Sequence, residues 1–251
     1  MRLADAARAM LRIALRRPLV VILALMVAAD VAFALLEALV QATDYGFPGA
    51  YRLSLQTEGG LPELYGYAKG LAITLFLFGA WRRWRLHSAA VWAAAYLYLT
   101  LDDAFKIHER LGGVVARGLG EGFGPAGLRT QDFGELMVYL TFGATLLGAL
   151  VLVERRRGGA TTTMLTRLML PLIALLAYFA VAIDIAFHDL PMDVMIEDGG
   201  ELVALSITAA ACFIWTRRAA ELGEELEGPR GGARLQGMDQ GMDQDRDQYL
   251  T

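Results

Sequence analysis

The chain contains one cysteine and three histidines among its 251 residues, and this scarcity excludes several kinds of site. Cys212 has no second cysteine to pair with, which excludes a disulfide within one chain and a metal site built from several thiolates. The sequence also lacks a glycine-rich phosphate loop, a dinucleotide-binding fingerprint and a Gly-x-Ser-x-Gly nucleophile motif. Nucleotide-binding and serine-hydrolase chemistry of those kinds is therefore not predicted.

Charged residues are few, at 20% of the chain, and each of six long apolar runs contains at most three of them. Hydrophobic residues make up 56% of the chain and its mean hydropathy is +0.42, which is typical of a membrane protein. A helix needs about 20 residues, each rising about 1.5 Å, to cross the hydrocarbon core of a bilayer. The runs near that length, numbered spans 1 to 6 in chain order, are residues 18–40, 61–81, 89–105, 133–153, 168–187 and 197–216. The predicted fold class is an all-α, polytopic membrane helix bundle with six transmembrane helices.

Arginines cluster in alternate connections between these spans. They precede span 1, lie between spans 2 and 3 and between spans 4 and 5, and follow span 6. Examples are Arg82 and Arg83 after span 2, and Arg155 and Arg156 after span 4. By the positive-inside rule these connections face the cytoplasm, so both termini are predicted to be cytoplasmic. Because topology explains the basic clusters, no nucleic-acid-binding surface is predicted.

The composition divides the chain into three regions. Residues 1–17 are a basic segment that suits either an amphipathic helix on the cytoplasmic membrane surface or a simple orientation signal. Residues 18–218 are the predicted six-helix transmembrane domain. Residues 219–251 have few apolar side chains to bury and are predicted to be a disordered cytoplasmic tail. Within the transmembrane domain, the glycine-rich stretch 112–132 is predicted to be a long loop between spans 3 and 4.

Acidic and histidine side chains are concentrated at the predicted outer ends of spans 3 to 6. An ionisable group costs roughly 2.5 to 3.5 kcal/mol at the centre of a membrane helix, and less near its ends, so a shared location is informative. Helix dipoles favour acids at the outer starts of spans 4 and 6, but they disfavour acids where spans 3 and 5 end. The candidate site residues are Asp102, Asp103, His108, Glu109, Glu135, Asp184, His188, Glu197, Asp198 and Glu201.

Carboxylates held together outside water repel one another unless protons, basic partners or a cation neutralise them. On the outer side, Lys69, Lys106 and Arg110 are too few to neutralise these acids. Imidazole and carboxylate ligands four residues apart, as in Asp184 and His188, suit zinc, iron or manganese, whereas oxygen ligands alone suit calcium or magnesium. We therefore predict a divalent metal ion, zinc, iron or manganese, as the cofactor. Its candidate ligands are all of these site residues except Asp198.

Helical spacing leaves one choice open around Lys106. On a continuous helix, Asp102, Lys106 and Glu109 share a face, and His108 points away from Asp102. Either the helix ends or unwinds near Lys106, or only one of His108 and Glu109 faces the site.

Several motifs resemble a pattern in a family of uncharacterised bacterial multi-pass membrane proteins. They are Leu-Asp-Asp-Ala-Phe-Lys-Ile-His-Glu at residues 101–109, Glu135, Asp184, and Glu-Asp-Gly at residues 197–199. The resemblance covers spans 3 to 6 and implies a location in the bacterial inner (cytoplasmic) membrane, but it implies no particular reaction. Membrane hydrolases of the ceramidase type use a Ser, an Asp and three histidines, and the chain lacks the paired late histidines of that pattern.

Three functions remain open. As an enzyme, the protein would use the metal to activate water for hydrolysis of a lipid-linked or interfacial substrate. As a carrier or sensor, it would pass protons or cations along a polar path that Asp30, Glu37 and Lys69 extend toward mid-membrane. As a structural module, it would use its acids only to order the helix bundle. The expected partners are the lipid bilayer and a lipid-linked or small-molecule substrate.

Overall fold

The computed structural model describes residues 18–120, 128–183 and 193–227, and within these ranges the chain is helical and contains no strand. The helices are α1 (Pro18–Ala42), α2 (Ala50–Leu53), α3 (Leu61–Trp84), α4 (His87–Phe105), α5 (Ile107–Leu119), α6 (Thr130–Arg157), α7 (Ala160–Ala177) and α8 (Asp193–Glu227), with a π-helical segment (Tyr178–Ile183) directly after α7. The all-α prediction is confirmed. The predicted amphipathic segment, residues 1–17, lies outside the described residues.

Among the described residues, four helical stretches are long and apolar enough to cross a membrane. They are Val20–Ala42, Thr130–Arg157, Ala160–Ile183 and Val194–Arg217. These helices bear out the membrane class that the composition predicts. The counterparts of predicted spans 2 and 3, α3 and α4, are not among the four because they carry more polar side chains, including Lys69, Asp102 and Asp103.

Large apolar side chains cover the outer surface of several helices. Leu35 of α1, Leu75 of α3 and Leu140 of α6 are each more than half exposed. Contiguous exposed apolar surface is unusual on a soluble monomer. Lipid tails are as apolar as leucine, so such a surface suits contact with a bilayer.

The chain divides into two compact units, residues 1–212 and 213–251. In the first unit, Trp92 and Tyr96 of α4 and Met169 of α7 are fully buried. Cys212 is buried too, with its Sγ 3.7 Å from the Met169 Sδ, as expected of a small core residue. The described part of the second unit is the end of α8, so residues 219–227 of the predicted tail are helical.

α5 occupies much of the stretch predicted to be a long loop. That prediction is wrong for residues 112–119, which belong to α5, and for residues 130–132, which begin α6. Gly112 of this stretch serves helix packing, together with Gly134 of α6. A Cβ atom at Gly112 would overlap Glu135, and a Cβ atom at Gly134 would overlap the Gly112 carbonyl. α5 and α6 therefore approach closely because both positions lack a side chain.

Candidate functional site

The junction between α4 and α5 decides which side chains face the candidate site. α4 ends at Phe105, and Lys106 adopts the left-handed conformation (φ 50°, ψ 47°), so α5 starts afresh at Ile107. Helical spacing left two possibilities open, and the structure shows the first of them: the helix ends near Lys106. The Asp102 Oδ1 then accepts a hydrogen bond from the His108 backbone N–H at 2.8 Å, and its Oδ2 lies 2.9 Å from the His108 Nδ1.

Asp102 is only 3% exposed; it lies in the last turn of α4, and its carboxylate contacts the first turn of α5. The C-terminal end of α4 disfavours a carboxylate, whereas the first N–H groups of α5 favour one. The hydrogen bond from the His108 N–H satisfies one of those groups. The dipole of α4 disfavours an acid at this position, but the N–H groups at the start of α5 stabilise the Asp102 carboxylate and so explain its presence.

His108 is held between Asp102 and an aromatic ring. Burial lowers the pKa of His108, but the hydrogen bond and charge of Asp102, together with the charges of Glu135 and Glu109, outweigh burial and raise that pKa above its ordinary value of 6.5. The imidazole lies 5.0 Å from the Tyr139 ring, measured between centroids. The positive form of His108 is therefore stabilised by its surroundings.

Glu109 has a different environment from its neighbour His108. The Glu109 side chain is 45% exposed, and its Oε1 lies 3.5 Å from the Lys106 Nζ. Lys106 also pairs with Glu58. His108, rather than Glu109, is the residue that bonds Asp102.

Gln131 joins the start of α6 to α5. Its Nε2 donates to the Glu135 Oε1 at 2.6 Å and to the Glu109 carbonyl oxygen at 3.0 Å. These bonds, with the close contact between Gly112 and Gly134, place Glu135 beside the Asp102–His108 pair.

A carboxylate cluster, Glu197, Asp198 and Glu201, lies in the first turns of α8. One carboxylate oxygen from each side chain lies within 4.8 Å of the other two, and all three side chains are half-buried. Their spacing of one and four residues brings them to neighbouring positions on the helix surface. Such a group can hold a metal ion through oxygen ligands.

Negative charges from three other helices act on the carboxylate cluster. Asp198 interacts electrostatically with Glu37 of α1, Glu63 of α3 and Asp103 of α4. Carboxylates at this density repel one another in a site of low dielectric constant. Protonation or a bound cation relieves this repulsion.

Tyr139 of α6 connects the carboxylate cluster to the Asp102–His108 pair. Its side chain interacts electrostatically with Asp102 and Glu135, and also with Glu201 of the carboxylate cluster. Its ring also faces His108. The two groups of ionisable side chains therefore adjoin each other in one site.

Two of the nearby acids already have structural partners. Glu37 is fully buried, and its carboxylate accepts hydrogen bonds from the Leu55 N–H at 2.7 Å and from the Gln41 Nε2 at 2.9 Å. Glu63 accepts a hydrogen bond from the Tyr67 hydroxyl. Glu63 also accepts a hydrogen bond from the Gly59 N–H. The bonds from Leu55 and Gly59 order the chain between α1 and α3, so Glu37 and Glu63 contribute charge to the site and also stabilise the backbone beside it.

A separate ion pair, Asp30 and Lys69, lies deeper in the bundle. Asp30 is about 18 Å along α1 from Pro18, and both side chains are almost completely buried. The Ser206 hydroxyl donates to the Asp30 Oδ2 at 2.6 Å, and the Lys69 Nζ donates to the Leu202 carbonyl at 2.8 Å. The pair thus joins α1, α3 and α8.

Most of the predicted metal ligands come together around Tyr139. They are Asp102, Asp103, His108, Glu135, Glu197 and Glu201. Glu109 is adjacent but faces Lys106, while Asp184 and His188 lie outside the described residues. Sequence reasoning overlooked Tyr139, although it lies four residues after Glu135 and so shares a face of α6 with that residue.

The chain matches the model of a protein family. No curated protein and no solved structure matches the chain. One family model does match, and it spans residues 18–216, which include the candidate site and the apolar helices around it. Its description is a domain of unknown function, in agreement with the resemblance to an uncharacterised family. The chain therefore belongs to the family of the domain of unknown function DUF8692.

Proposed function

We propose that this membrane protein binds a divalent metal ion in the carboxylate cluster and uses it to hydrolyse a lipid or another interfacial substrate. The observation that carries the proposal is the approach of oxygen atoms from Glu197, Asp198 and Glu201 to within 4.8 Å of one another. Negative charges at that separation are compatible with a stable fold when a cation or protons neutralise them.

The ligand chemistry favours a hard cation. Carboxylate oxygens suit magnesium, calcium and manganese, whereas zinc and iron sites usually include imidazole or thiolate. Of the three predicted metals, manganese best suits a site made of carboxylates.

The Asp102–His108 pair supplies a proton acceptor next to the cluster. A bound metal ion would make water a nucleophile near neutral pH. When the His108 Nδ1–H donates to Asp102, the Nε2 of the neutral ring can accept a proton from water and return it to the leaving group. Because the pKa of His108 lies above 6.5, hydrolysis is expected to increase as the pH rises through that higher value.

The proposed topology has six spans, both termini in the cytoplasm of a bacterial inner membrane, and the site on the outer side. α3 and α4 contain 24 and 19 residues, and their charged Lys69 and Asp102 are buried within the protein rather than exposed to lipid. The Arg157 Nη1 lies 3.1 Å from the His87 Nε2, which supports placing the arginine-rich end of α6 and the start of α4 on one side. A reporter that is active only outside the cytoplasm should give a signal when fused after Gly199. A cytoplasmic signal there contradicts this topology.

Metal binding can be tested by elemental analysis of protein purified under metal-replete conditions. Wild-type protein should carry a stoichiometric divalent metal, and Glu197→Gln and Glu201→Gln should lose it because each removes one anionic ligand. Glu154→Gln is the matched control, since Glu154 is exposed at the other end of α6 and bonds Thr163. Absence of metal from the wild type, or equal loss from the control, refutes the proposal.

Hydrolysis needs its own assay. Wild-type protein with manganese should release products from a total lipid extract, as detected by mass spectrometry. Glu201→Gln should abolish release by removing the metal, and His108→Asn should lower it while leaving the metal bound. If the protein binds metal but releases no product, the hydrolytic part of the proposal is refuted and only metal binding remains.

The Asp30–Lys69 pair favours a structural role rather than a carrier path. Its two charges neutralise each other, and Ser206, the Leu202 carbonyl and the Tyr65 ring complete its contacts. A proton or cation passing this point would have to break those contacts in the interior of the bundle.

A further inference from the structure

A large apolar cavity lies between α4, α5 and α6. Its volume is about 1100 Å³, and its walls come from all three helices. Along α6 it extends from Phe133 to Ala149, a length of about 24 Å at the usual helical rise. That length is most of the roughly 30 Å thickness of the hydrocarbon core of a bilayer.

The walls of the cavity suit a hydrocarbon ligand. Thr141 and Thr145 line it, but their hydroxyls donate to the Met137 and Thr141 carbonyl oxygens at 2.8 Å. Their donors are thus used within α6. The remaining lining is mostly alanine, valine, leucine and aromatic residues, which offer apolar contacts to a hydrocarbon chain.

The cavity is accessible from the apolar surface of the protein. Leu111 and Val114 of α5 and Met137 of α6 line it and are also exposed, Val114 to the extent of 57%. α6 is one of the helices suited to cross a membrane, and its exposed apolar residues, such as Met137, would then face lipid tails. A lipid chain can therefore enter from the bilayer without passing through water.

One end of the cavity adjoins the candidate site. Tyr98 lines the cavity, stacks on Phe142 with 4.6 Å between centroids, and interacts with Asp102. Leu111 lies three residues after His108 and so shares its face of α5. An apolar slot that ends at a polar, charged group matches the two parts of an amphiphile.

We propose that this cavity binds an acyl chain of a membrane lipid whose polar head lies at the Asp102–His108 pair. The substrate of the proposed hydrolysis is then an acyl lipid, and this part of the inference rests on the proposed function. Chain binding itself depends only on the cavity, so the two can fail separately.

Photo-crosslinking tests where the chain lies. The probe is phosphatidylglycerol with a diazirine on its palmitoyl chain, mixed into phosphatidylethanolamine bilayers that contain the full-length protein, and adducts are mapped by mass spectrometry. Adducts are expected on the segments of α4, α5 and α6 that line the cavity. Ala94→Phe and Ala149→Phe each place a ring inside the cavity, whereas Ala144→Phe adds the same ring to an exposed position of α6 outside the lining.

The size of the expected effect follows from the displaced chain. A ring that displaces roughly two methylenes, each worth about 0.8 kcal/mol, should reduce adducts in the cavity about tenfold. Ala144→Phe should leave them unchanged. The two filling variants act from different helices, so a folding defect in one, detected by thermal unfolding, leaves the other as the test.

The outcomes separate the two proposals. Adducts spread evenly over the lipid-facing helices, or unchanged in a folded filling variant, overturn the acyl-chain site. If adducts map to the cavity in both wild type and Glu201→Gln while the wild type contains no metal, the chain site stands and the metal-dependent function fails. If metal is bound and the lipid extract is hydrolysed while adducts are evenly spread, the function stands and the chain site fails.

Discussion

Removing one partner of the Asp30–Lys69 pair should destabilise the helix bundle far more than removing both charges together. Lys69→Met leaves the Asp30 carboxylate buried without its cation. Breaking a buried pair in this way costs about 3 to 5 kcal/mol, because the remaining charge stays out of water. Asp30→Asn should cost a similar amount, since the ammonium of Lys69 then remains buried among Leu202 and Tyr65.

The double variant Asp30→Asn/Lys69→Met has no uncompensated charge. The introduced amide can still accept the hydrogen bond from the Ser206 hydroxyl, which lies 2.6 Å from the native carboxylate, and the introduced methionine keeps most of the volume of the lysine stem. Losses should be limited to the hydrogen bond to the Leu202 carbonyl and the contact with the Tyr65 ring, at about 1 to 2 kcal/mol in total. The double variant should therefore be more stable than either single variant.

Reversible unfolding in mixed detergent micelles, followed by tryptophan fluorescence, measures these differences. Lys106→Met is the matched control, because Lys106 pairs with Glu58 at the surface, where such pairs contribute less than about 1 kcal/mol. A single Lys69→Met variant that loses no more than this control would refute the reasoning. So would a double variant less stable than both single variants.

Three further substitutions test the packing and the charge of α5. Gly112→Val should destabilise the protein by about 1 to 3 kcal/mol through overlap with Glu135, whereas Gly118→Ala, with open space around its new Cβ, should be neutral or slightly stabilising in thermal unfolding. Because Asp102 raises the pKa of His108, the charged imidazole contributes stability below about pH 6.5, and this is lost as the pH rises through the higher pKa. With a chelator present to remove bound metal, the melting temperature of the wild type should therefore exceed that of His108→Gln at low pH. The difference between the two melting temperatures should shrink as the pH rises, and a constant difference contradicts this reasoning.

The helical nature and membrane class of the protein could be predicted because the bilayer imposes simple requirements. A spanning helix must be long and apolar, and that requirement is visible in runs such as 18–40 and 133–153. Glu197 and Glu201 could also be paired from the sequence, because residues four apart meet on any helix. Both inferences depend only on local spacing.

α5 could not be recognised from its composition. Gly112, Gly113 and Gly118 are typical of a loop, yet the helix forms because α6 offers Gly134 as a matching close contact. Because of these glycines, the sequence does not show a clear helical pattern for the apolar face of α5, which includes Leu111 and Val114. The stability of such a helix comes from its neighbour rather than from its intrinsic propensity.

By itself, the sequence determined that the chain is helical, that it is suited to a membrane, and that acids gather at the ends of several helices. These properties follow from residue type and spacing along one helix. Only the tertiary structure decided that Asp102 bonds His108 across the turn at Lys106, and that Asp30 and Lys69 neutralise each other. It also decided that an apolar cavity ends beside that histidine. Such pairings depend on the backbone conformation of a single residue, Lys106, and on contacts between helices far apart in the chain. Residue spacing along one helix carries no information about either.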